Sequence, residues 1–507
     1  MKGESGVTLT RGERFIQSLR DERNVWIDGQ RLDDVTAHPS FQGTLTTIKH
    51  LFDTLDDKQI QAQIGFRNAE TGTYAHHAFL VPANREDLKR RRAAFSYWAT
   101  ETHGVMSRLS EFARSLVTGW YAARHEFTSL DPHFADKISR YYEQARDQDL
   151  FLTTALLDPQ IDRTKSAGEH RNPDSVLRIV KETEEGVVVR GAKMIATAGP
   201  YSHDFLVYPY YRLKETEREY AHFLIVPANL PGLHIICRES FASLSGGDHP
   251  LSEKYDEMDA VLFFDDVLVP WERVFLKGDI DGVWKLRMNR TAGALAFHQT
   301  VVRLLAKLEF VTGVSVAVAQ SIGADSYQHV QEKLGELVIQ VESIKGLLLA
   351  SEIQSSRTDA GIELPSLGPI ETARNLGAWY YPRALDILQL IGAGGFMQVP
   401  SKLEDLNGPL GDMMKTYYAG KQLDADHKVR LFKLAWDLVG SPLGSRHELY
   451  ERFYAGDPVR TYANQYVNAD KSELESRMRT FRQTHYGKEA ESDESTIAGQ
   501  QLSRTTL

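Results

Sequence analysis

Apolar residues recur at helical spacing from about residue 11 to residue 148, predicting helices over 10–19, 84–126 and 132–148. Between the first two, Val25-Trp26-Ile27-Asp28-Gly29 reads as a short hairpin with a glycine turn. The period changes beyond residue 155. Val176–Lys181, Glu185–Thr197, Phe205–Tyr208, His222–Val226, Leu233–Cys237 and Ala260–Asp265 are β-branched and aromatic runs with no helical pattern between them. Strands spaced so closely predict an antiparallel β-domain or barrel. After Val269-Pro270-Trp271-Glu272 the helical period returns over 292–323, 325–356, 368–391 and 424–439, the pattern of a bundle. The expected fold is mainly α with a central β-barrel. It divides into an N-terminal helical domain (1–154), the β-barrel domain (155–277) and a C-terminal helical bundle (278–507), whose Ser/Thr/Glu-rich end from 487 is expected to fray.

Composition narrows the chemistry. The 507 residues carry 59 Lys+Arg against 69 Asp+Glu, a formal charge of −10, and no basic patch that would make a nucleic-acid footprint. The run Lys89–Arg92 is short and reads as a solvated helix face. A single cysteine, Cys237, closes no intramolecular disulfide and leaves no thiolate-rich metal site, so no metal ligands are assigned and redox chemistry needs a borrowed cofactor. No apolar run is long enough for a membrane span, and the first residues lack a signal-peptide pattern; the expected location is the cytoplasm.

The common nucleotide, zinc-hydrolase, serine-hydrolase and dithiol signatures are missing. Gly392-Ala393-Gly394-Gly395 follows a helical pattern rather than a strand and reads as a helix-ending turn, though its N–H groups can still meet a phosphate. Two segments combine unusual groups. Asp158-Pro159-Gln160-Ile161-Asp162-Arg163 presents an amide, a carboxylate and a guanidinium on a proline-fixed loop, either for a heterocycle or simply for solvent. In Gly440–Tyr450 a small-residue turn opens a helix that carries Arg446, suited to a phosphate or to a plain helix–helix turn.

Several stretches, in order, are similar to one known family: Ser18–Asp21 with Val25–Gly29, Val35–Pro39, Asp158–Arg163, Val187–Thr197, His249–Ser252, Phe264–Val274 and Ser445–Glu451. The chain resembles the oxygenase component of two-component flavin monooxygenases of the 4-hydroxyphenylacetate 3-monooxygenase type, whose fold is similar to that of acyl-CoA dehydrogenases. The resemblance implies a homotetramer with flavin between subunits. It also implies reduced FAD (FADH2) delivered by a separate NAD(P)H-dependent flavin reductase, and O2 as cosubstrate. A C4a-hydroperoxyflavin would then hydroxylate a small aromatic or heteroaromatic molecule. On the same resemblance Gln160, Ile161, Asp162, Arg163, Thr197, Gly444, Ser445 and Arg446 bind the flavin, and the Gly392–Gly395 turn lies toward the neighbouring subunit's cofactor. The alternative on this scaffold is a flavin-dependent dehydrogenase or a non-redox flavoenzyme. The iron–sulfur dehydratase variant is excluded by the lone cysteine.

The substrate residues depart from the family. There an Arg and a Tyr four residues later, with a His before the loop, bind and polarise the phenol hydroxyl; here those positions hold Arg108, Phe112 and Thr154. A free phenol ionises near pH 10, so its reactive anion needs a base or a positive charge nearby. Phe112 has no hydrogen-bonding group, and Thr154 is not a base near neutral pH. Arg108 and Thr154 remain the catalytic candidates on that match, with His298 or His103 as sources of a base or as plain structural histidines. The substrate expected is therefore not plain 4-hydroxyphenylacetate. In the family's variable substrate-covering loop, Tyr210 and Tyr211 offer rings for stacking or lie on an ordinary hairpin surface.

Overall fold

Caps and breaks divide the N-terminal helical pattern. Thr10 closes a capping box with Glu13 over α1 (Arg11–Ser18). Pro39 opens α2 (Pro39–Asp53), where its missing N–H is tolerated, and α3 (Gln61–Ile64) is a single turn. The stretch read as one helical region over 84–126 is two helices, α4 (Arg85–Glu101) and α5 (Glu111–Ala122). Between them His103 and Gly104 take left-handed backbone conformations, which end a right-handed helix. The α6 helix (Phe134–Asp147) completes this part. The computed structural model describes residues 8–69, 71–242 and 247–486, so the end expected to fray from 487 lies outside the described residues.

The strands are β1 (Asn24–Ile27), β2 (Gln30–Arg31), β3 (Gly65–Arg67), β4 (Tyr74–His76), β5 (Leu152–Ala155), β6 (Arg178–Glu182), β7 (Gly186–Thr197), β8 (Asp204–Val207), β9 (His222–Pro227), β10 (Leu233–Cys237), β11 (Asp259–Pro270) and β12 (Val274–Lys277), followed by the short pair β13 (Ser356–Arg357) and β14 (Glu363–Leu364). Closure of the central strands into a barrel is not seen. The central strands form a six-stranded sheet, β2-β1-β10-β11-β7-β6, and a four-stranded sheet, β12-β9-β8-β5, and no ladder among the described residues closes them into one cylinder. Nor is the arrangement wholly antiparallel: β1 joins β10 in parallel, and β5 joins β8 in parallel. The hairpin at Asp28-Gly29, both with positive φ, turns β1 back into β2 and so commits an N-terminal segment to the central sheet.

A single turn, α7 (Ser252–Tyr255), lies between β10 and β11; helical periodicity resumes after β12 with α8 (Ile280–Arg287), then α9 (Arg290–Ser321), α10 (Gln328–Ile353), α11 (Leu367–Gly392), α12 (Gly411–Tyr417), α13 (Ala425–Val439) and α14 (Pro442–Phe453). The α9 helix is buried along most of its length and is the spine around which α5, α10 and α11 pack. Residues up to Ala455 make one compact unit. The second, from Gly456, holds α15 (Pro458–Asn468) and α16 (Ser472–Tyr486), neither with a buried residue. The solvated-face reading of Lys89–Arg92 holds for Lys89 and Arg90, whereas Arg91 is buried and donates to the carbonyls of His77, Ala78 and Leu80.

Candidate active site

The register of β7 against β11 breaks between Ala260 and Leu262. Opposite that break, Ile195 takes φ +60° and stands 46% exposed between better-buried neighbours. A β-branched residue rarely adopts this conformation, and a bulge here re-aims the side chains of the strand end. Two residues on, the Thr197 hydroxyl donates to Asp259 Oδ1 at 2.7 Å. Asp259 also accepts Arg446 Nε and Nη2, both at 2.7 Å, and Arg238 Nε at 3.0 Å. Burial alone would raise the Asp259 pKa; Arg446 first, then Arg238 and Thr197, outweigh it and hold the carboxyl well below the ordinary range.

The proline loop is tied to the same strand. Met194 N–H donates to Leu157 O at 2.9 Å, and buried Lys193 pairs with Asp158 at 2.6 Å. Beyond these ties Gln160, Ile161 and Arg163 face solvent, Ile161 with 61% exposure, while Asp162 accepts from Thr164 and lies 3.6 Å from Lys165. On the other side of β7, Thr153 of β5 donates its hydroxyl to Thr197 O at 2.7 Å, which sets its buried neighbour Thr154 one residue from that contact.

Arg446 comes from α14. Ser441 caps the helix by accepting Gly444 N–H at 3.0 Å, with Pro442 in the first turn. A Cβ on Gly444 would stand 2.3 Å from Leu438 O, so this turn requires glycine. Ser445 is exposed. Four-residue spacing places Arg446, Tyr450 and Tyr454 along one face, with the two tyrosine rings stacked at 5.0 Å. Adjacent on the helix, buried Glu451 pairs with Arg303 and with Lys307 at 2.9 Å. Burial pulls the Lys307 pKa down to about 8 against the opposing pull of Glu451.

Glu257, fully buried, joins this knot to Arg108. Its carboxylate accepts Ser107 N–H and Arg108 N–H at 2.7 Å each and lies 3.5 Å from Arg446 Nη1, which is buried without a hydrogen bond. Burial raises the Glu257 pKa, and Arg446 acts against that. The Arg108 guanidinium lies over two rings, Phe112 at 4.6 Å and Tyr454 at 4.7 Å. Desolvation works against its charge; the Tyr450 and Tyr454 phenols outweigh it, and the Arg108 pKa rises.

The sequence-assigned residues thus fall into two groups. Thr197, Arg446, Arg108, Phe112 and Thr154 are linked through Asp259, Glu257 and Thr153, with the 158–163 loop tied to the same strand. His298 is elsewhere in its contacts: buried on α9, it meets Glu352 at 2.9 Å and the edge of Phe95, and burial lowers its pKa. His103 stacks on Phe310 at 4.5 Å. Tyr210 receives Arg287 over its ring at 4.8 Å and packs edge-on against the exposed Tyr211. The Gly392–Gly395 turn ends α11 and, with Gln398, Lys428 and Phe432, borders a cavity of about 270 Å3. Sequence reasoning missed Glu257, Asp259 and Tyr454. The first two stand in Asp256-Glu257-Met258-Asp259, an acidic cluster at the mouth of a strand, and Tyr454 continues the four-residue spacing from Arg446.

Known proteins resemble this chain along most of its length. The family profile "4-hydroxyphenylacetate 3-hydroxylase N terminal" matches residues 11–276, and "4-hydroxyphenylacetate 3-hydroxylase C terminal" matches 285–483. The chain is 38% identical over 479 residues to the 4-hydroxyphenylacetate 3-monooxygenase oxygenase component of Thermus thermophilus, covering 93% of this chain and 96% of that one. It is 31% identical to the oxygenase component of a Rhodococcus 4-nitrophenol 2-monooxygenase, covering 88% and 86%. A crystal structure of the oxygenase component of 4-hydroxyphenylacetate 3-monooxygenase complexed with FAD and 4-hydroxyphenylacetate superposes with a TM-score of 0.89 at 37% identity, covering 94% of this chain and 99% of that one. Fold and sequence together define a flavin-dependent monooxygenase with the acyl-CoA dehydrogenase-like architecture. The chain belongs to the 4-hydroxyphenylacetate 3-hydroxylase family, the oxygenase components of two-component systems.

Proposed function

We propose that this chain takes reduced FAD from a separate NAD(P)H-dependent flavin reductase and hydroxylates a small aromatic or heteroaromatic molecule other than plain 4-hydroxyphenylacetate. The observation that carries the reading is the Thr197–Asp259–Arg446 knot, joined through Glu257 to Arg108. A flavin ring is flat, apolar on its faces and polar on its edge. Exposed Ile161 and Ile195 suit the faces, and Thr197 with the unsatisfied Nη1 of Arg446 suits the edge. Gln160, Asp162, Arg163, Gly444 and Ser445 complete the proposed flavin contacts. When bound, reduced FAD would supply, through its reaction with O2, the one oxygen atom transferred to the substrate. In balance, aromatic C–H, FADH2 and O2 give aromatic C–OH, FAD and water.

The residues of this chain do the remaining work. Arg108 favours the anionic form of the substrate by charge. Phe112 and the ring of Tyr454 flank it and keep water from that charge. Thr154 offers a hydroxyl at the place where the family carries a base, and Tyr210 and Tyr211 cover the substrate. The tight packing of His298 against Glu352 favours its structural reading. The chain acts as three successive parts, over 1–154, 155–277 and 278–507. It assembles as a homotetramer: Val338, Ile339 and Ile353 of α10 with Trp379 and Leu390 of α11 are exposed apolar side chains that a second copy would cover. The cavity beside Gly392 and Gly395 receives the dinucleotide end of a neighbouring subunit's FAD. The proposed location is the cytoplasm; no described helix is long and apolar enough to cross a membrane.

The test is rapid mixing of photoreduced FAD and enzyme with oxygenated buffer. A transient absorbance of oxygenated flavin, long-lived only when enzyme is present, is the expected result. Oxidation as fast as that of free flavin, with no hydroxylated product from a panel of phenols and amino-aromatics, would overturn the reading.

A further inference from the structure

We infer that Tyr454 supplies the substrate-facing hydroxyl that position 112 lacks. This inference rests on the reading of Arg108 as the substrate's anchor. The guanidinium of Arg108 lies over two adjoining rings, Phe112 at 4.6 Å and Tyr454 at 4.7 Å, which meet each other at 6.0 Å and 60°. A group bound by Arg108 beside these rings borders both, and of the two only Tyr454 carries an oxygen; the Tyr450 phenol also acts on Arg108, but its oxygen is buried.

The local hydrogen bonds prepare that oxygen. Thr300 Oγ1 lies 3.2 Å from Ala296 O and 3.3 Å from the Tyr454 hydroxyl. A threonine has one hydroxyl proton, and a carbonyl oxygen only accepts, so Thr300 donates to Ala296 and accepts from Tyr454. The Tyr454 oxygen keeps its lone pairs for a donor, the O–H or N–H of an aromatic substrate. Tyr454 is half-buried and its ring is fixed on three sides: Tyr450 stacks on it at 5.0 Å, Arg303 lies 5.1 Å from its centroid, and Arg108 holds the third. Its backbone N–H donates to Tyr450 O at 2.7 Å, tying it to the end of α14. The hydroxyl thus comes from the C-terminal helix rather than from α5. The substrates selected are rings bearing a hydroxyl or amino donor beside the group that Arg108 neutralises.

The experiment compares Tyr454→Phe, Phe112→Tyr and the double variant in the full-length protein, with 4-nitrocatechol as probe because its anion absorbs in the visible and keeps a second hydroxyl beside the ionised oxygen, and 4-nitrophenol as the control lacking that neighbouring hydroxyl. Tyr454→Phe is expected to weaken 4-nitrocatechol binding about three- to tenfold, the worth of one hydrogen bond. It should shift the pH at which the bound probe ionises, leave 4-nitrophenol binding unchanged, and leave the Kd for reduced FAD unchanged. Adding Phe112→Tyr to that variant should restore part of the affinity. Equal losses for both probes would mean ring packing alone and overturn the inference, as would no loss for either, or no 4-nitrocatechol binding by the wild type. Reduced-FAD binding in the same preparations distinguishes such a failure from a failure of the flavin reading itself.

Discussion

Replacing Asp259 with Asn removes one negative charge from the centre of the proposed cofactor site while keeping its shape. Asp259 receives two hydrogen bonds from Arg446 at 2.7 Å, one from Arg238 at 3.0 Å and one from Thr197 at 2.7 Å. Unpairing a buried charge costs about 3–5 kcal/mol. Here Glu257 still faces Arg446, and Asn keeps an accepting oxygen, so the lower end, about 3 kcal/mol at pH 7, is the expected loss. The pH dependence fixes the sign. A carboxyl whose folded pKa lies below its unfolded value of about 3.9 contributes its full stability above that value and loses it as pH falls toward the folded pKa. The difference between wild type and Asp259→Asn should therefore be flat from pH 5 to pH 8, values set for the assay, and shrink below about pH 4. Urea unfolding of the flavin-free proteins across this range measures it. A spectral titration with FAD in parallel should show at least tenfold weaker binding, since Arg446 loses its orienting partner. Equal stability at pH 7 together with an unchanged Kd would refute the reasoning.

Arg108→Ala should lower substrate-coupled hydroxylation by about ten- to a hundredfold, the worth of a charged hydrogen bond, while the Kd for reduced FAD stays the same; stopped-flow flavin binding beside product analysis separates the two. Gly444→Ala forces a methyl against Leu438 O at 2.3 Å and Asp437 O at 2.9 Å, both backbone, and should destabilise the protein by about 1–3 kcal/mol with weaker FAD binding, read by thermal melting and titration. Cys237, its thiol pushed up to about 12 by burial, should react with iodoacetamide at pH 8 only after unfolding; prompt labelling of native protein counted by mass would contradict its environment.

Much of the architecture was legible because it is local. The change from helical to alternating period marks β6 through β11, and the caps at Thr10 and Ser441 fall where short polar residues precede apolar runs. The parallel pairing of β1 with β10 joins residues about 210 apart, as in the Asn24–His234 partnership, and nothing in either segment's own pattern announces it. The bulge at Ile195 is hidden for the same reason, since a β-branched residue in a strand run gives no sign of a left-handed turn. In the site, Arg446 and Thr197 were readable through family likeness, yet Asp259, which joins them, was not, because its meaning depends on two partners distant in the chain. Tyr454 gave no signal of its own in the sequence, because it lies on α14, far in the chain from Arg108 and Phe112, and only the fold brings its ring against theirs.

The helix that bears Arg446 near its middle and Tyr454 at its C-cap also acts as a spacer of fixed length. Eight residues of α-helix separate them by about 12 Å. Glu451, clamped by Arg303 and Lys307, prevents that spacer from sliding or rolling. On the proposed reading, with Arg446 at the cofactor and Tyr454 at the substrate, selectivity for the ring to be oxidised is decoupled from grip on the oxidant. Exchanges at positions 112 and 454 would then alter which molecules are accepted while leaving the spacing between Arg446 and residue 454 unchanged.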